Sequence, residues 1–147
     1  MISTTSLNQA RKEIQRLKKE NPKETIIIQG QSPEFNRKIL ENKDTDILLS
    51  PEFHDRKDRQ KQRDSGLNEF MCKLAKKNNI KIAINLQEIK SLNKKDKAII
   101  LARIKQNIGL CKRTKTQIIF HPQIPKQEAT SFLTTLGAST EQTKNFE

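Results

Sequence analysis

The sequence has few of the residues on which many binding and catalytic sites depend. It contains no Trp, no Tyr, two Cys and two His among 147 residues. Without Trp or Tyr, and with Phe mostly on predicted core stripes, stacking on splayed RNA bases is not expected to dominate binding. His54 and His121 lack the short spacings of metal ligands, which disfavours a hydrolase built on several His and Asp ligands. Cys72 and Cys111 fall in predicted helices, and this placement indicates reduced core residues.

Long hydrophobic runs are also absent. No apolar run reaches the roughly 18 residues that a membrane span needs, and no signal peptide is recognisable at the start. We therefore expect a soluble, cytoplasmic protein that has no membrane partner.

What the sequence has in excess is positive charge. Lys and Arg number 29 against 17 Asp and Glu, a net charge of +12. Cations that neutralise phosphates release counterions, so this excess predicts an anionic partner such as RNA. The alternative is an AT-rich genome, whose codon usage favours Lys at exposed positions. It would give the same charge without an anionic partner.

Helical and strand patterns alternate along the chain. Apolar residues at helical spacing predict helices over 7–20, from Ser32-Pro33, from Asp64-Ser65-Gly66, over 93–113 and from Pro125 to Gly137. In the third of these, Leu67, Phe70, Met71, Leu74 and Ala75 form the predicted core stripe, and Asp64 or Ser65 is the predicted cap. A capping box at Ser139 to Gln142 predicts a last short helix.

Four apolar segments between these helices predict strands. They cover 25–30, 46–50, 80–86 and 117–121, and the third is expected to have one wetter face because Lys81, Ala83 and Asn85 alternate with apolar residues. Regular alternation of strand and helix predicts an α/β domain over 1–147 with mainly parallel strands. A complete barrel normally takes around 250 residues, so four strands predict a partial barrel or a small open sheet.

One segment departs from this alternation, at HDRKDRQKQRDSG from His54 to Gly66. It follows the second predicted strand, at the strand end where barrel folds usually place their functional loops. We define residues 54–63 as the basic loop and interpret it as an insertion that contacts phosphates. The alternative is a solubilising loop whose charges meet only water.

Several stretches together resemble one family. DILLSPE, RDSGLNEFMCKLAKKNNIKIAINL, ILARIKQNIGLCKRTKTQIIF and LTTLGAST occur in the order and approximate spacing of the archaeal and eukaryotic ribonuclease P protein component 3. The resemblance covers roughly residues 7–143. The chain departs from the family by lacking the unit before the family's second helix and by the basic loop.

The resemblance implies a partial TIM-barrel-like (PHP-like) βα repeat and a non-catalytic subunit of an endoribonuclease. The implied partners are ribonuclease P RNA, precursor tRNA, protein component 2 and other ribonuclease P proteins, and the implied protein assembly is a heterotetramer. The implied activity is removal of 5′ leaders from precursor tRNA, with chemistry carried by the RNA and magnesium, so that the protein itself has no cofactor, metal site or catalytic residue. The alternatives are a metal-dependent phosphoesterase on a related barrel and a non-specific basic RNA-binding module.

The predicted site residues combine the basic loop with the long helix. The RNA contacts are predicted at Arg56, Lys57, Arg59, Lys61, Arg63, Arg103, Lys112 and Arg113. Asp64 and Asn107 are predicted to orient the site, Asp64 by holding the Arg63 guanidinium towards a phosphate. Structural alternatives remain for four of them: Asp64 as a helix cap, Arg103 lying beside an apolar stripe, and Lys112 and Arg113 complementing a helix dipole.

Overall fold

The computed structural model describes residues 1–144, in which seven helices and four strands alternate. The strands are β1 (Ile27–Gln29), β2 (Ile47–Leu49), β3 (Lys81–Ile84) and β4 (Ile118–Phe120). The helices are α1 (Leu7–Glu20), α2 (Pro33–Glu41), α3 (Glu69–Lys77), α4 (Leu86–Lys90), α5 (Lys94–Thr114), α6 (Lys126–Thr135) and α7 (Thr140–Thr143).

The four strands form one parallel sheet in the order β1-β2-β3-β4. Parallel neighbours in chain order, each joined by a helical connection, are the arrangement of a βα barrel opened along one side. The predicted α/β class and its parallel sheet are therefore confirmed, and the carboxyl ends of all four strands lie at one edge. Ile2 adds a single parallel bridge to Ile28 at the β1 side.

The two faces of the sheet differ in what covers them. On one face Ile28, Leu48, Ile82 and Ile118 join the main hydrophobic core with residues of the helices. The other face carries a smaller cluster of sheet residues: Ile47, Leu49 and Ala83, flanked by Ile27 and Ile119. In a closed barrel this second face is the one that points inward.

Most of the helix starts and caps predicted from the sequence are confirmed. Ser32 caps α2 by accepting a hydrogen bond from the Phe35 N–H, Pro33 occupies the first turn, and the capping box of α7 is present. Cys72 and Cys111 are buried and free of any disulfide, as predicted. Among residues 1–144, no helix combines the length and apolar character needed to cross a bilayer.

The start of α3 was predicted wrongly. The helix begins at Glu69, and the cap is Asn68, whose side chain accepts a hydrogen bond from the Met71 N–H. Residues before it cannot be helical because Gly66 has φ +80° and lies against Pro51, where an added Cβ would approach the carbonyl oxygen to 2.1 Å. Phe70, predicted in the core, is 53% exposed, and Arg37 stacks over its ring.

The third strand also ends earlier than predicted. It covers Lys81–Ile84, after which Asn85 caps the short helix α4 by accepting a hydrogen bond from the Glu88 N–H. Leu86 therefore belongs to a helix. The predicted wetter face is wrong at Ala83, which is fully buried in the second cluster because neighbouring strands place Leu49 and Ile119 beside it.

Candidate nucleic-acid interface

The basic loop is held by one buried arginine of α5. Arg103 is 3% exposed, and its Nη1 donates to the carbonyl oxygens of Glu52 at 3.1 Å and His54 at 3.0 Å. Its Nη2 donates to the carbonyl of Arg56 at 2.8 Å and its Nε to Asp58 Oδ1 at 3.1 Å. The planar fork of a guanidinium suits several acceptors at once. Arg103 was predicted as an RNA contact, but the structure turns its charge towards the loop backbone and away from solvent.

The next turn of α5 holds the end of the same loop. Gln106 Nε2 donates to the Arg63 carbonyl at 3.0 Å and to Ser65 Oγ at 3.2 Å. Asn107 Nδ2 donates to the Ser65 carbonyl at 3.1 Å. Residues 103, 106 and 107 share one side of the helix. The loop is therefore tied to α5 at both ends.

Asp64 organises the loop from inside. It accepts hydrogen bonds from Arg56 Nε at 2.9 Å and from the Gly66 N–H at 3.2 Å. Partial burial opposes ionisation, but these two hydrogen bonds outweigh it and lower the pKa of Asp64. The predicted pairing of Asp64 with Arg63 is wrong, because the nearest carboxylate to the Arg63 guanidinium is Asp58, at 3.7 Å.

His54 is a neutral structural residue. Its Nε2 lies 2.6 Å from the Asp64 carbonyl oxygen, so this nitrogen carries the proton and donates it. Burial, with added repulsion from Arg103 and Arg56, lowers the pKa of His54. No group of three or more His, Cys, Asp or Glu side chains suited to a metal ion occurs in the described part of the chain.

The remaining loop cations face outward. Arg59 and Gln62 exchange backbone hydrogen bonds of 2.9 and 3.3 Å, which folds the loop tip into a tight hairpin. Arg59, Lys61 and Arg63 are exposed and line a cleft of about 490 Å³ against α5, which Lys105 closes on the other side. We call this the loop–α5 cleft. Because the backbone beneath it is fixed, these cations are presented to an anion with little loss of loop freedom.

The polar residues at the other strand ends serve the fold. Gln29 Nε2 donates to the Leu49 carbonyl at 3.2 Å, and Asn85 caps α4.

Comparison with known proteins identifies the family. No family model matches the chain. Ribonuclease P protein component 3 of Methanococcus vannielii is 31% identical over 99 residues, which is 67% of this chain and 40% of the relative. Component 3 of Methanococcus maripaludis strain C6 is 27% identical over 118 residues, 80% of this chain and 47% of the relative. The chain is a homologue of ribonuclease P protein component 3.

The homology to component 3 is partial in length. The chain spans less than half the length of these curated relatives. A chain in a cryo-EM structure of archaeal ribonuclease P with mature tRNA superposes with a TM-score of 0.75 at 24% identity, covering 93% of this chain and 58% of that one. This match establishes that the two chains share a fold.

Lys112 and Arg113, at the positive end of the long helix, were also predicted as RNA contacts. Both are exposed in the last turn of α5. Lys112 lines a separate cleft of about 460 Å³ with Lys76 and Lys115. The structure therefore does not bring this pair together with the basic loop.

Two residues of the cleft were missed by sequence reasoning. Neither Lys105 nor Gln106 is among the predicted site residues. The signal was available in the helical spacing, since Ala102, Lys105 and Gln106 lie on one side of α5 at i, i+3 and i+4. What the spacing could not show is that this side meets the loop.

Proposed function

We propose that the chain is a non-catalytic protein subunit of ribonuclease P, which binds the catalytic RNA and assists removal of 5′ leaders from precursor tRNA. The observation that carries the proposal is a basic loop clamped on a component 3 fold. Arg59, Lys61, Arg63 and Lys105 meet at one cleft, which Asp58 also lines at 3.7 Å from Arg63. Arg56 and Arg103 are engaged by Asp64 and Asp58. Magnesium would act with the RNA, and component 2 would be a protein partner in the cytoplasm.

Electrostatics favours phosphate contacts as the mode of binding. Four cations around one cleft attract a backbone that carries a charge at every nucleotide. The loop contains no aromatic residue between His54 and Arg63 on which a base would stack. The proposed role is therefore to neutralise and order RNA phosphates, with sequence recognition left to other parts of the assembly.

The test is precursor-tRNA cleavage by the matching ribonuclease P RNA with component 2 at limiting magnesium. We expect the rate to rise when the chain is added and to stay at background when the RNA is omitted. The double variant Arg59→Glu/Arg63→Glu should lose most of the gain. Lys12→Glu/Lys19→Glu, which changes the charge equally at exposed positions of α1, should keep it.

Two results would contradict the proposal. Cleavage without the RNA would assign chemistry to the protein. An equal loss with both double variants would show that only the total charge matters.

A further inference from the structure

The basic loop has a second side, which is mainly apolar. Between residues 53–58 and the beginning of α5 lies a groove of about 830 Å³. Its apolar lining comprises Phe53, Leu92, Ile99 and Ile100. We call it the α5 groove. Its volume lies within the range of sites that bind a ligand or the anchor residues of a peptide, roughly 300–1,000 Å³.

Ile99 is an apolar residue of this groove whose partial exposure is not explained by packing within the chain. Ile100 is buried in the main core, and Phe53 and Leu92 pack partly against it. Ile99 is half-buried and belongs to neither hydrophobic cluster of the described residues. It lies one turn before Arg103, on the side of α5 that holds the loop. The loop-facing side of α5 thus continues beyond the loop as an apolar surface.

Charge decides what kind of partner fits this surface. Asp55 and Asp96 line the groove, are exposed, and take part in no ion pair within residues 1–144. The cations Arg56 and Arg103 of its lining are engaged by Asp64 and Asp58, which leaves Lys57 as the exposed cation of the lining. Asp96 Oδ2 accepts a hydrogen bond from Asn93 Nδ2 at 3.0 Å, but no cation of the described residues neutralises either carboxylate. In a chain of net charge +12, the two groups repel phosphates and attract cations.

We propose that the α5 groove binds a protein segment that carries both large apolar and basic side chains. An amphipathic helix meets both needs, because apolar residues at i, i+3 and i+4 seat against Ile99 and Phe53 while flanking Lys or Arg side chains reach Asp55 and Asp96. The loop then has two functions on its two sides: phosphates at the loop–α5 cleft and a basic protein segment at the α5 groove. This inference does not depend on the RNA role.

The experiment is a titration of the isotope-labelled chain with a synthetic amphipathic helix of Leu and Lys, followed by NMR. We expect shift changes confined to residues 53–58 and 92–100. The same helix with Glu in place of Lys should bind more weakly, since it meets the two carboxylates with like charge. A short RNA duplex should not displace the Leu and Lys helix.

Variants of the groove sharpen the result. Ile99→Ser removes apolar contact and should weaken binding about tenfold. Asp55→Asn with Asp96→Asn keeps the shape and one acceptor oxygen of each side chain while it removes the charge, and should weaken binding about threefold to tenfold. Asp44→Asn, at an exposed position outside the groove, is the matched control for the charge change and should leave the affinity unchanged. Thermal melts verify that each variant is folded.

Three outcomes would overturn the proposal. They are unchanged affinity in Ile99→Ser, shift changes spread over other surfaces, and displacement of the peptide by the RNA duplex. The last would assign the groove to nucleic acid.

Discussion

Glu52 stands at the inner end of the loop, and its carboxyl group is almost completely removed from water. The residue is 1% exposed, and its Oε1 has no hydrogen-bond partner among the described residues. Burial raises the pKa of Glu52 to about 8, with a smaller contribution from Glu88. The side chain is therefore largely a neutral acid at neutral pH, although the backbone around it is bound to Arg103.

Replacing this acid by its neutral isostere should change how stability depends on pH. An unfolded Glu52 ionises near its ordinary pKa of 4.5, whereas the folded group holds its proton to about 8. The folded state binds more protons between these values, so this group makes the protein progressively less stable as pH rises from 4.5 to 8. Glu52→Gln should remove that loss and be the more stable protein at pH 8, by a few kcal/mol.

The measurement is urea unfolding of both proteins across this pH range. The difference in unfolding free energy between Glu52→Gln and the parent should grow with pH and level off above 8, and other titrating groups cancel in the difference. Parallel curves would mean that Glu52 is ionised in the folded protein.

At the scale of elements, the loop and α5 behave as one unit. Arg103, Gln106 and Asn107 make seven hydrogen bonds with the loop and with Glu52 and Ser65, which lie just outside it, and four of these come from Arg103. A guanidinium reaches acceptors on Glu52 and on three loop residues because its donors diverge in one plane. An ammonium has three donors on one atom and cannot span them.

Arg103→Lys should therefore loosen the loop while it keeps the charge. We expect a loss of about 2 kcal/mol in the free energy of unfolding and faster amide exchange over residues 54–65. Arg113→Lys, an exposed position on the same helix, is the matched control. Unchanged amide exchange in Arg103→Lys would show that the loop does not need the clamp.

At the scale of the whole molecule, two cases must be distinguished for the net charge of +12. Either it includes a defined phosphate-binding site, or it is spread evenly over the surface. If the loop–α5 cleft binds phosphates, removing one of its cations removes one contact. The slope of log affinity against log salt should then fall by about 0.7–0.9 for each lost contact. A charge spread evenly by codon usage predicts the same small effect from every exposed Lys.

Binding of the ribonuclease P RNA at several salt concentrations distinguishes these cases. Arg63→Ala and Lys105→Ala should each reduce the slope by about 0.7–0.9, because both side chains line the cleft. Lys12→Ala on α1 should leave it nearly unchanged. Equal slopes for all three variants would remove the cleft from the set of contacts.

The sequence alone was sufficient for the features that are set locally. Helical periodicity and capping residues predicted α1, α2, α5 and α7 closely, since each depends on side chains only three or four positions apart. Four apolar segments separated by helices predicted the parallel sheet. The order of motifs identified the component 3 family, which the comparison with curated relatives supports.

The tertiary structure alone decided what the polar residues of the loop do. A sequence shows that Arg103 and Asp64 are charged, but their partners lie up to 51 positions away, at the Glu52 carbonyl in the case of Arg103. Asp64 meets Arg56 in place of Arg63, and Asn68 caps α3 because Gly66 is pressed against Pro51. Such pairings depend on which distant backbone segments the fold brings together. The periodicity of neighbouring residues in the sequence carries no information about those contacts.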